Sequence, residues 1–123
     1  MNTDTLIPAL AAIEKAGGPD FAKTHPHVDL ANGFIEQRDK FGNLLGEVHC
    51  PLACNDAVVA YALDVMAWCR KSYKALVRFD PVEGGRAWHY AVHGGLKSTV
   101  GTVDSKLAAA EALILAVAGE VGR

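Results

Sequence analysis

A chain of 123 residues, half of them hydrophobic and 21% charged, has the size and composition of a single domain, residues 1–123, that folds without disulfides or metal. A formal net charge of −2 excludes a global attraction to nucleic acid or to an anionic membrane. No uninterrupted apolar run reaches the roughly 18 residues of a membrane span, residues 107–118 being the longest candidate.

Residues 2–16 read as a first helix. Thr3 or Asp4 caps it, Leu6, Leu10 and Ile13 follow helical spacing, and Gly17-Gly18-Pro19 stops it. Pro8 suits a first turn better than a helix interior. Residues 17–32 form a connector of irregular path, held to the surface through Phe21, Val28 and Leu30. Residues 34–50 predict a β-hairpin with Phe41 at its tip, where Gly42 supplies the positive φ of a tight turn. The limbs mix apolar and charged positions, as a ribbon with one wet face does.

Pro51 ends the hairpin, and Asn55 or Asp56 caps a second helix over residues 57–72. This helix carries two apolar stripes, one of Val58, Ala62, Val65 and Cys69, the other of Val59, Leu63 and Met66. Two stripes imply cover on two sides. Residues 75–79, 86–93 and 96–103 then predict a three-strand meander, with a turn at residues 80–85 and another at Gly94-Gly95. In its middle strand Trp88, Tyr90 and Val92 share one face, and Ala87, His89, Ala91 and His93 share the other. Asp104 or Ser105 caps a closing, largely apolar helix interrupted only by Glu111.

The expected fold class is therefore α+β, a small layered sandwich in the order α, β-hairpin, α, three-strand antiparallel meander, α. Its over-apolar helices call for either a further layer or a homodimer that buries one helical face.

No set of residues reads as catalytic, cofactor-binding or metal-binding. Cys50, Cys54, His49, His89 and His93 invite a zinc reading, but His89 and His93 in one strand stand about 13 Å apart, too far for one tetrahedral ion. Cys50 cannot be activated by His49, because strand neighbours point to opposite faces. Cys54 near a helix start is better placed for a lowered thiol pKa, but a small apolar packing role at the helix entry is the favoured account. Gly94-Gly95-Leu96-Lys97-Ser98-Thr99 fails as a phosphate loop because Leu96 interrupts it and no helix follows. Asp64 is the sole carboxylate in an interesting apolar setting, and a solvent-facing position explains it. Three cysteines and no secretory signal predict a cytoplasmic protein with free thiols.

Charge is unevenly placed. Residues 70–106 hold seven basic residues (Arg70, Lys71, Lys74, Arg78, Arg86, Lys97, Lys106) against three acidic ones, a net +4, whereas residues 1–69 carry a net −5. Gly101-Thr102-Val103-Asp104-Ser105-Lys106-Leu107-Ala108-Ala109-Ala110 resembles the end of a double-stranded RNA-binding domain. It departs at Val103 and Leu107, where that family has Gly and a second Lys for phosphate contact. Asn55-Asp56-Ala57 entering a helix, the strands of residues 73–88 and the run Ala108-Ala109-Ala110-Glu111-Ala112-Leu113 resemble the small phage-encoded "ABA sandwich" domains over residues 55–119. That resemblance implies a phage or prophage origin and brings no catalytic residue.

The leading expectation is a non-enzymatic protein-binding accessory protein acting on an unidentified host or phage protein, with no membrane contact. Its candidate contacts are Phe41 at the hairpin tip and Trp88 and Tyr90 on the meander, since aromatic residues anchor interfaces. The core face of their sheet is the favoured place for Trp88 and Tyr90, because helices must cover one side of it, and Phe41 at the turn tip is the better candidate for exposure. Arg78 and Arg86 belong to the alternative, a nucleic-acid surface over residues 70–106.

Overall fold

A computed structural model describes residues 3–122 of the chain. Helix α1 (Thr3–Lys15) buries Leu6, Ala9 and Ile13, one face at helical spacing. Pro8 lies inside this helix, beyond its first turn. It forfeits the bond to the Asp4 carbonyl on the exposed side, where water can solvate that oxygen. The helix ends where Gly17 and Gly18 donate back to the Glu14 and Ile13 carbonyls.

The connector is more ordered than its composition suggests. Asp20 caps a single turn, α2 (Phe21–Thr24), by accepting from the Ala22 and Lys23 amides at 3.0 and 3.4 Å. A two-residue strand, β1 (Val28–Asp29), then pairs with the expected hairpin of β2 (Phe34–Arg38) and β3 (Leu44–His49). The result is an antiparallel sheet in the order β1-β2-β3, which leaves β3 at an edge.

Helix α3 runs Pro51–Tyr73, starting six residues, more than one and a half turns, ahead of the expected residue 57. Proline opens the helix rather than only closing the strand, because its fixed φ suits the first helical position and its missing N–H has no intrahelical partner there. Strands β4 (Leu76–Val82), β5 (Ala87–His93) and β6 (Thr99–Val103) make the meander, with a tight 3-10 turn at Glu83–Gly85. Ser105 accepts from the Ala108 amide at 3.1 Å and opens α4 (Lys106–Val121).

Helix α4 is the centre of the packing, touching α1, α3 and all three strands of the meander. Its buried face is Ala109, Ala110, Leu113, Ile114, Val117 and Ala118, where small residues let neighbouring backbones approach. Opposite it stand Val77, Phe79 and Val92, with Trp88 and Tyr90 half-buried on the same side of the sheet. Tyr90 lies across Gly101, its register partner on β6, in space that a side chain at 101 would fill. The other face of the meander carries Leu76, Arg78, Asp80, His89 and Thr102, with only Ala91 fully covered.

Tyr61 locks the connector onto α3. It is fully buried, its hydroxyl donates to the Pro19 carbonyl at 2.7 Å, and its ring meets Phe21 edge-on at 5.5 Å. Helix α3 is long and apolar enough to cross a membrane by length and mean hydropathy alone, yet its Val58, Tyr61, Ala62, Val65 and Cys69 build the core.

Burial pushes the Glu111 carboxyl, half-covered on α4, above its ordinary value of 4.5. A raised folded value favours the protonated form. Its contribution to stability is present below pH 4.5 and is lost as pH rises through the raised value. Glu111→Gln is therefore expected to raise Tm by a few degrees at pH 7 and to leave it unchanged at pH 4. Thermal melts at both pH values check this, and an equal gain at both would assign the effect to packing instead.

Candidate functional site

The hairpin tip is a built structure. Asp39 Oδ1 accepts from the Phe41 and Asn43 amides at 2.8 and 2.9 Å, and Oδ2 accepts from Asn43 Nδ2 at 3.1 Å. The Asn43 amide, first among these donors, holds the Asp39 carboxyl below its usual value. Backbone bonds from the Asp39 amide to the Asn43 carbonyl and from the Gly42 amide to the Asp39 carbonyl close the loop. Gly42 has the φ of +85° anticipated for this turn. Arg38 ties the tip to the strand, donating to Glu36 Oε2 through Nε and Nη2 and to the Gly42 carbonyl through Nη1 at 2.8 Å.

The effect is to hold Phe41 away from the protein, 78% exposed, with Lys40 Nζ 5.1 Å from its ring centre. Beside it runs the β3 edge. An extra residue, Leu45, is inserted opposite the Gln37–Arg38 step, since Gln37 pairs with Gly46 and Arg38 with Leu44. Leu44, Leu45 and Val48 are all exposed, and Glu47 is the only charge on the strand. Edge strands are ordinarily shielded by charges, proline or a covering element. This one carries the bulge at Leu45 and the single charge of Glu47, has no proline, and pairs with no further strand among the described residues.

The remaining sequence candidates are dispersed. Trp88 and Tyr90 face the helices, with Phe79 6.0 Å from Trp88 and Lys106 Nζ 5.7 Å above the Trp88 ring. Arg78 is exposed in the middle of β4 on the opposite face, 3.8 Å from Asp80. Arg70, Lys71, Lys74 and Lys97 lie toward the end of the meander where Leu76 pairs with His93, whereas Arg86 and Lys106 lie at the other end, where Val82 pairs with Ala87. The seven-residue β4 separates the two groups by about 20 Å.

The thiols are also apart. Cys54 lies in the first turn of α3, but it is fully buried, and desolvation pushes its thiol up, with Cys50 and Asp29 adding to the shift. The shift runs opposite to the lowering expected of a thiol at a helix start. Cys69 is likewise buried and pushed up to about 11. His49 stacks edge-on against Phe34 at 5.5 Å, and no group of three metal-ligating side chains forms among the described residues. Asp64 faces solvent, as its sequence setting suggested.

A feature not anticipated from sequence is a groove of about 410 Å³ between α1 and the connector. Ile7, Leu10, Phe21 and Val28 give it an apolar lining, and Glu14, Asp20 and Asp29 also border it. Asp20 spends its carboxylate on the α2 cap, and Asp29 bonds Asn32, whose side chain chiefly lowers the Asp29 pKa. Both acids serve their own loops.

Comparison with protein-family models, with curated proteins and with solved structures finds no match to any of the three.

Proposed function

We propose that this is a non-enzymatic binding module of phage or prophage origin, working in the cytoplasm, that captures a host or phage protein by adding an extended segment of it to the open β3 edge. The observation that carries this reading is the pairing of a hydrogen-bonded tip, displaying Phe41, with an unpaired strand edge bearing the exposed Leu44, Leu45 and Val48. An added strand gains main-chain hydrogen bonds, and flanking apolar side chains give it selectivity. A loop whose backbone is already hydrogen-bonded into shape loses less conformational entropy on binding, and burial of the exposed ring adds to the gain. The resemblance of residues 55–119 to phage-encoded sandwich domains supports the proposed origin, and three free cysteines suit the reducing compartment.

The test is affinity capture from bacterial lysate treated with nuclease, read by mass spectrometry, comparing the native chain with a Phe41→Ala/Leu45→Lys variant. Both positions are exposed, so the variant is expected to match the native circular dichroism and Tm. A stoichiometric protein retained by the native chain and reduced at least about tenfold on the variant is the expected result, tenfold being 1.4 kcal/mol. Equal capture by both chains overturns the hairpin as the site. Captured proteins that vanish with nuclease would transfer the function to the basic residues.

A further inference from the structure

Helix α3 carries a second apolar stripe that the described chain covers only at its margin, where Val59 and Met66 are half-buried against the core. Val58, Ala62, Val65 and Cys69 face the core, but Leu63 is 53% exposed and Leu52 is 76% exposed. With them on the outer side lie Asp56, Ala60, Ala67 and Arg70, all exposed, and Val59 and Met66 at its margin. The positions 52, 56, 59, 63, 66 and 70 advance by four, three, four, three and four residues. That is the spacing of a two-helix seam.

The charges on this stripe have their own symmetry. Leu63 stands seven residues from Asp56 and seven from Arg70, so a two-fold axis through Leu63 places Asp56 of each copy opposite Arg70 of the other. The same operation sets Ala60 against Met66 and Val59 against Ala67, a small residue facing a larger one at each layer. Fifteen residues of helix, Asp56 to Arg70, carry the contact across about 21 Å. Neither Asp56 nor Arg70 has an ion pair or side-chain hydrogen bond among the described residues, so both are available to a partner. Asp64 is turned about 100° away from Leu63, which keeps two like charges off the axis.

We infer that the chain forms a two-fold homodimer in which antiparallel α3 helices pack along the stripe from Asp56 to Arg70, centred on Leu63. An isologous interface requires one surface to complement itself, and this stripe does so in both shape and charge. The pairing sets the two β2–β3 hairpins, each just ahead of its α3, at opposite ends of the dimer. It rests on observations separate from those at the hairpin and stands or falls independently of it.

The experiment is sedimentation equilibrium of the whole chain over rising concentration, with the mass expected to climb from 13.0 kDa toward twice that value. Leu63→Lys is expected to weaken association about 100-fold or more, because two lysines would meet at the axis. Asp56→Arg alone, or Arg70→Asp alone, sets like charges at both ends and is expected to weaken it. Mixing those two variants restores opposite charges at both ends and is expected to restore the dimer. Every substituted residue is exposed, and matching thermal melts will show that the fold is intact. A chain monomeric throughout overturns the inference. So does an association that ignores all three substitutions, which would place the contact elsewhere, for example along β3.

Discussion

Truncating Tyr61 to alanine is expected to lower the unfolding free energy by about 3–5 kcal/mol, the range for deleting a buried aromatic ring. Domains of this kind are stable by only about 5–15 kcal/mol, so the loss is a large share of the total. The reason is positional. Tyr61 is fully buried on α3, and its ring and hydroxyl hold the connector at Phe21 and Pro19. Without the ring, Phe21, which lines the groove between α1 and the connector, loses its edge-on partner. Tyr61→Phe keeps the ring and gives up only the hydroxyl bond to Pro19, at a cost of about 1 kcal/mol, since the half-exposed Pro19 can recruit water. Chemical denaturation of both variants separates the two contributions. Should Tyr61→Phe prove as damaging as Tyr61→Ala, the hydroxyl and not the packing would be the anchor.

Gly95→Ala is expected to cost about 3 kcal/mol, the upper end for overpacking a site that cannot relax. A methyl group at 95 would overlap the Tyr73 carbonyl, the last residue of α3, and a backbone oxygen cannot rotate aside as a side chain would. The neighbouring Gly94 has a φ of +95° and faces the Lys74 carbonyl at 3.2 Å from where a Cβ would sit. The loop between β5 and β6 thus closes directly against the exit of α3. Gly84→Ala provides the contrast. Its φ is +69° but its surroundings are open, so only the conformational strain of about 1 kcal/mol applies. Denaturant midpoints of the two alanine variants would test the difference, and equal losses would mean that the Tyr73 contact is not what excludes a side chain at 95.

These two sites mark the division between local and non-local information. Periodicity made β2, β3 and the meander legible, and the Gly42 turn and the Ser105 cap were readable because each is satisfied by residues within a few positions. The same holds for the alternation that puts Trp88, Tyr90 and Val92 on one face of β5. The short elements of the connector were hidden. A two-residue strand has no period, and β1 exists because β2 offers it partners at Ile35 and Phe34. The start of α3 was misplaced because Pro51 can end a strand or open a helix, and the sequence weighs the two equally.

For the candidate site the sequence supplied Phe41 and little more. That Phe41 is fixed and exposed follows from the Asp39–Asn43 bonds and from Arg38, a local network. That β3 offers an unpaired backbone edge beside the exposed Leu44, Leu45 and Val48 follows from the strand order, which only the pairing decides. The two stripes on α3 were visible as composition. Which stripe is core and which is surface depended on where α4 packs, and that placement covers Val58, Ala62, Val65 and Cys69 while leaving Leu63 outside.

By itself the sequence determined the α+β class, the succession of helix, hairpin, helix, meander and helix, and the alternation of faces along β5. Those depend on propensity and spacing, which act over a few residues. Tertiary structure alone decided that the connector adds a strand, that β3 has no outer neighbour, that the basic residues divide between two ends of a sheet, and that α3 keeps an uncovered seam. Each of those is a relation between segments distant along the chain, fixed by burial of apolar surface, which rewards proximity in space without regard to order in sequence.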